Sequence, residues 1–214
     1  MVMLLVSRSL VCSYSVMSDE NSQADHTITD LLDRAARRAL PLVRSVADTQ
    51  LDDPTPCSEF AVRDLLNHVF QVVIGFRELA AGRPVDFRSA PDHLDGDWRS
   101  RFAEEVERLV EAWAAPGAEE GHSEAMGMPA RTVGEIVLLD LTVHAWDLAR
   151  ATGQPYLPDE VAEPTLHALV AALRPRAAET SMKIFDEPVP VPEGASSFEV
   201  LLGATGRDPR WSRE

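Results

Sequence analysis

Thr132-Val-Gly-Glu135-Ile-Val-Leu-Leu-Asp140-Leu-Thr-Val-His144-Ala-Trp-Asp147-Leu-Ala-Arg150-Ala-Thr152-Gly153 is the stretch that decides the fold. It is too long for a strand and mostly apolar. It carries helix signals at both ends: Thr132-x-x-Glu135 fits a reciprocal capping box, and Gly153 and Pro155 follow its end. About twenty helical residues span roughly 30 Å, the length of a bundle helix. Asp140, His144 and Asp147 fall at i, i+4 and i+7, so they project from one face. Their neighbours are apolar, so that face points inward. A buried face with two carboxylates and an imidazole must either pair those groups or offer them to a cation. The spacing leaves both open. In the plainer reading His144 is a hydrogen-bonded core histidine and Asp147 pairs with Arg150 at i, i+3.

Outward from this helix the chain reads as further helices with little strand pattern. The first is expected from Ile28 to Asp48, capped by Thr27 or Thr29 and bent or broken at Pro41. After the proline-rich connection Asp52–Glu59, a second helix runs from Val62 to Ala81 and stops at Gly82. A polar loop over 83–97 leads to a third helix, Trp98–Ala115. A second loop, Glu119–Ala130, precedes the long helix, and Asp159 caps a fifth that reaches Leu173. Residues 176–181 can continue it. Ile184 to Pro192 is extended because its prolines exclude helix, and Ser196-Ser-Phe-Glu199 opens a short final helix ended by Gly206-Arg-Asp-Pro209. Four long amphipathic helices with some long connections indicate an all-α four-helix bundle with a short C-terminal helical and extended appendage. The expected division is 1–26 as a disordered or misassigned extension with an alternative start at Met17, 27–175 as the bundle, and 176–214 as the appendage packed on it.

The chain has 214 residues with 20 basic and 35 acidic side chains, a formal net charge of −15. A polyanion repels phosphate backbones and anionic lipid, which argues against nucleic-acid and membrane partners. No apolar run approaches the roughly 20 residues that span a bilayer. Two cysteines, Cys12 and Cys57, make no disulfide framework, and a cytoplasmic location is expected. Cys57 reads as a packing residue, and Trp98, Trp113 and Trp146 as core. Of the six histidines, His68 stands out, because it lies on the second helix among Leu65, Leu66, Val69, Val72 and Val73. His26 falls in the tail, His93 and His122 in polar loops, and His167 on a helix without a second donor at useful spacing.

Thr55-Pro-Cys-Ser-Glu-Phe-Ala-Val-Arg-Asp-Leu-Leu-Asn-His68 and Asp140-Leu-Thr-Val-His-Ala-Trp-Asp-Leu-Ala-Arg-Ala-Thr-Gly153 resemble the DinB-like metalloprotein superfamily. Within it they are most similar to the mycothiol-dependent maleylpyruvate isomerase-like metal-binding branch, which Gly206-Arg-Asp-Pro209 also fits; the likeness covers roughly residues 28–211. The resemblance implies a DinB-like four-helix bundle with long crossover loops. It also implies that His68, Asp140 and His144 hold a divalent metal, zinc first and nickel or another ion second. The isomerase relatives use Glu where this chain has Asp140, one methylene shorter. Two neutral imidazoles and one carboxylate leave an ion with net charge about +1 and an open coordination position. The resemblance further implies a low-molecular-weight thiol such as mycothiol as cofactor. In the isomerase the thiolate adds to a cis double bond of a small organic substrate, the bond rotates, and elimination gives the trans isomer. Asp147 would orient a ligand histidine through its other ring nitrogen. The expected activity is a thiol-dependent isomerisation or transfer, with a homodimer as the candidate assembly. The reading of another class is a non-catalytic metal- or ligand-binding bundle, a sensor or protein partner, with a degenerate site.

Overall fold

The structure, a computed structural model, describes residues 26–87, 91–180 and 185–213, with the backbone alone for 176–180. The expected extension over 1–25, with Cys12 and the Met17 start, and the beginning of the extended segment at Ile184 lie outside the described residues.

Helix α1 (Ile28–Ser45) begins on a reciprocal cap, in which the Thr27 hydroxyl accepts from the Asp30 N–H at 3.1 Å and the Asp30 carboxylate accepts from the Thr27 N–H at 3.4 Å. Pro41 neither breaks nor ends it. The helix runs on to Ser45 because Ala39, Leu42 and Val43 stay buried around the proline, and that packing outweighs one missing hydrogen bond. The expected last turn is instead a separate 3-10 turn, Asp48–Gln50. Helices α2 (Val62–Ala80), α3 (Trp98–Trp113) and α4 (Ala130–Thr152) complete the bundle. Around the ring α1 packs on α4, α4 on α2, α2 on α3, and α3 back on α1. The core they share includes Leu31, Leu32, Leu65, Phe70, Phe102, Leu109, Leu138 and Leu141, and Trp98, Trp113 and Trp146 are buried in it as expected.

The start of α4 departs from the capping-box reading. A two-stranded antiparallel ribbon, β1 (His122–Ser123) and β2 (Met128–Pro129), delivers the chain directly into the helix at Ala130. Thr132 and Glu135 therefore lie inside the helix and do not cap it; Glu135 lies 3.3 Å from the Arg131 guanidinium. Gly134 has a packing reason. A Cβ there would lie 2.6 Å from Ile28 Cγ2 and 3.0 Å from the Trp113 ring, so only glycine lets α4 press against α1 and α3 at this level.

Helix α5 (Glu163–Thr180) packs on α4 and continues through Pro175, and α6 (Ser197–Ala204) packs on α5 behind the expected Ser196/Glu199 capping box. Asp159 does not cap α5 directly, since the helix starts four residues later. Its buried carboxylate accepts from the Val161 N–H and grips Arg34 through two bonds of 2.6 and 2.7 Å, with Arg38 3.3 Å away. The connection before α5 is thereby tied to α1. The C-terminal stretch returns to the bundle: Arg150 Nε donates to the Trp211 carbonyl at 3.0 Å, and Arg213 pairs with Asp53. Among the described residues no helix is long and apolar enough to cross a membrane.

His93 differs from its polar-loop reading. Its ring stacks on Phe70 with centroids 5.1 Å apart and planes 15° from parallel, and its Nε2 is buried without a partner. Asn67 accepts from its backbone N–H at 2.7 Å. Burial, helped by Arg101, pushes the imidazole pKa below its ordinary value of 6.5. The unfolded chain then binds this proton more readily than the folded one, so stability is complete above about pH 6.5 and erodes as the pH falls below it. Thermal melts of the protein and its His93→Phe variant are expected to diverge in their pH dependence below pH 6.5, the variant losing less. Parallel curves would remove His93 as a source of acid sensitivity.

Candidate metal centre

Two helices build the site. His68 lies in the second turn of α2, and Asp140 and His144 lie one turn apart in the middle of α4, which packs against α2. One donor atom from each of the three side chains lies within 4.8 Å of the others. Asp140 Oδ1 sits between the imidazoles, 3.8 Å from His68 Nε2 and 3.5 Å from His144 Nε2. The two rings meet edge to face with centroids 4.9 Å apart. Zinc–nitrogen bonds of about 2.0–2.1 Å in a tetrahedron place donors about 3.4 Å from one another, so small side-chain rotations suffice to close this set on one ion. The donor chemistry, two imidazole nitrogens and one carboxylate oxygen, fits a divalent metal. Asp140 reaches both histidines despite its short side chain.

The supporting contacts are asymmetric. His144 is buried, and its Nδ1 lies 2.9 Å from Asp147 Oδ2, while its Nε2 faces Asp140. Asp147 is fully buried, and the same Oδ2 accepts from Arg207 Nη2 at 3.2 Å. The i, i+3 partnership of Asp147 with Arg150 is therefore not formed; Arg150 bonds the carbonyl of Trp211 instead. His68 is more open and packs its ring against Phe60, centroids 5.4 Å apart. Burial alone would raise the Asp140 pKa, but attraction to the His144 and His68 imidazoles outweighs it and holds the carboxyl below the ordinary carboxylate range. Burial would likewise depress His144, yet Asp140 and Asp147 together push it above its ordinary value. Asp140 therefore stays ionised, and the carboxylates on either side of His144 favour positive charge on its ring.

One side of the cluster is open. Asp140 and His144 form the wall of a cavity of about 60 Å³ whose other residues are Leu139, Val143, Phe185, Thr205 and Arg207. At about 30 Å³ per water it admits a thiol group or two waters beside the donors. Beneath His144 the lining is apolar: Leu65, Leu66, Val69, Phe102 and Leu148. Larger depressions of about 330 and 410 Å³ run along α4–α5 and α1–α3, and neither contains the three donors.

Two contributors were not legible in the sequence. Arg207 lies sixty residues from its partner Asp147, so no local spacing signals the pair. Cys57, read as a packing residue, is half-buried within electrostatic range of Arg207, Asp147 and Asp186; burial pushes its thiol pKa up, with Arg207 pulling the other way. A high thiol pKa keeps it protonated, in line with the packing role.

A helical bundle with a His/Asp/His cluster between α2 and α4, beside a cavity, presents a donor set that could hold a metal ion. Residues 32–149 match the family described as mycothiol maleylpyruvate isomerase N-terminal domain. The chain is also 32% identical to an uncharacterized protein of Mycobacterium tuberculosis, found in two strains, over 83% of this chain and 96% of the relative. The chain belongs to the mycothiol maleylpyruvate isomerase N-terminal domain family. A crystal structure of a histidine-to-alanine mutant of mycothiol-dependent maleylpyruvate isomerase is similar at a TM-score of 0.48 and 16% identity, covering 67% of this chain and 68% of that one.

Proposed function

We propose that the protein is a metal-dependent enzyme in which His68, Asp140 and His144 hold a divalent ion, zinc foremost, for a thiol-dependent isomerisation or transfer on a small organic substrate. Family membership supports a thiol of the mycothiol type. The observation that carries the metal reading is the convergence of three donors within 4.8 Å beside a cavity. A closed four-ligand arrangement would favour a structural role, whereas three protein donors beside a cavity would leave an ion a position for an incoming group. When bound, the ion would supply Lewis acidity that favours the thiolate of an incoming thiol.

The chain's own residues do the rest. With Asp147 accepting from Nδ1–H, the Nε2 lone pair of His144 would be free to bind the ion. Asp140 supplies the negative charge that binds the cation. Leu139, Val143 and Phe185 give the cavity its apolar wall, against which the carbon chain of a small thiol or substrate would pack. The division into a bundle over 27–175 and an appendage over 176–214 fits this reading, because the cavity draws residues from both. A reduced thiol is available in the cytosol, the compartment we propose.

The test is spectroscopic. Protein loaded with cobalt(II) in place of zinc is titrated with mycothiol. A thiolate-to-cobalt charge-transfer band in the near ultraviolet, absent in a His68→Ala variant, is expected. Cobalt bound with no such band would leave a metal-binding bundle without thiol chemistry.

A further inference from the structure

Arg207 is the feature that the proposed chemistry does not use. It lies beyond the residues matched by the family, 32–149, and yet reaches the centre of the site. Its side chain is 9% exposed. Nη1 donates to the Thr205 carbonyl at 2.9 Å and Nη2 to Asp147 Oδ2 at 3.2 Å. Both ends of the guanidinium are thus committed within the protein, and its charge is balanced by a carboxylate with no exposure to solvent.

The local backbone is built to hold this arrangement. Gly206 has φ +88°, a left-handed conformation that other residues adopt only with strain, and a Cβ there would collide with Asp186. The turn after α6 is fixed by Arg207 N–H donating to the Leu202 carbonyl at 2.9 Å and by Gly206 N–H donating to the Gly203 carbonyl at 3.1 Å. A rigid turn therefore delivers the guanidinium to Asp147. From Asp147 the contact passes to His144 Nδ1 at 2.9 Å, and the other face of that ring meets Asp140 at 3.5 Å.

We infer that Arg207 is a positioning residue for the metal centre: it holds Asp147, Asp147 holds the His144 ring, and the C-terminal segment thereby sets the affinity of the bundle for its ion. This rests on the ligand set proposed above. Residues that orient a metal-bound histidine are typically worth about 10–100-fold in metal affinity. Arg207 acts at one further remove, but without it Asp147 keeps only His144 as a partner and is free to rotate with it.

The experiment measures zinc affinity by competition with a chromophoric chelator and records the cobalt(II) d–d spectrum, using the full chain and the variants Arg207→Gln, Arg207→Lys and Asp147→Asn. Circular dichroism checks that each is folded. Arg207→Gln is expected to weaken zinc binding about 10-fold or more and to alter the d–d band. Arg207→Lys, which keeps the charge but loses the fork, is expected to recover part of the loss. Arg207→Gln and Asp147→Asn together are expected to cost less than the sum of the two, because they break one chain of contacts. Should Arg207→Gln fail to fold, the lysine variant and Asp147→Asn decide the matter on the same readouts. Wild-type affinity and spectrum in a folded Arg207→Gln protein, or strictly additive effects, would overturn the inference. A wild-type chain that binds no zinc would overturn the ligand set and this inference together, and the unmutated protein's metal content tells that outcome from the others.

Discussion

Replacing His144 with alanine is expected to abolish stoichiometric metal binding, taking metal content after dialysis from about one ion per chain to near zero. The loss should exceed the roughly 100-fold ceiling typical of residues that only support a ligand, because a donor is removed. His144 is the best anchored of the three donors: buried, held on one nitrogen by Asp147, and facing Asp140 with the other. The variant leaves Arg207 and Asp147 paired, so the buried carboxylate keeps a partner and the fold is retained. His167 is the control. It bonds the Ser197 carbonyl and hydroxyl, far along the chain from the cluster, and His167→Ala should leave metal content unchanged. Elemental analysis of protein without a polyhistidine tag reads the result, and equal metal in His144→Ala and wild type would sink the site.

The largest effect on stability is expected at Phe102. It is fully buried and meets Phe70 edge to face with centroids 5.0 Å apart, joining α3 to α2 beneath His144. Phe102→Ala removes a ring from a close-packed interior that collapses only in part, at a cost of about 3–5 kcal/mol. For a chain of this size that corresponds to a fall of roughly 10 °C in Tm. Denaturant titration gives the free energy directly. A loss under about 1 kcal/mol would mean that the α2–α3 interface repacks far more freely than its geometry suggests.

Most of the fold could be read because helix periodicity is a local signal. The stripes Leu31–Val43, Leu65–Val73 and Phe102–Trp113 name the buried faces, and the Ser196 capping box and the Gly153 stop sit where the residues put them. The errors fell where tertiary structure overrides local preference. Pro41 is carried through by packing, and the Thr132/Glu135 box is pre-empted by a ribbon that starts α4 three residues early. His93 is covered by Phe70, whose arrival no loop composition announces. The same division holds for the site. Asp140, His144 and Asp147 share a helix face and could be grouped by spacing alone. His68 is more than seventy residues away: its apolar helix marked it out, but only the resemblance joined it to Asp140 and His144. Arg207 belongs to the Gly206-Arg-Asp-Pro209 stretch that fits the family branch, but its pairing with Asp147 is visible only once the chain is folded.

Placing the donors on α2 and α4 has a mechanical consequence. An ion shared between residues 68 and 140 closes a loop of some seventy residues, including the whole of α3, much as a covalent staple would. If the proposed set binds its ion, each tenfold excess of free ion over its dissociation constant would add about 1.4 kcal/mol against unfolding, and the chain would tighten as its supply of metal rises.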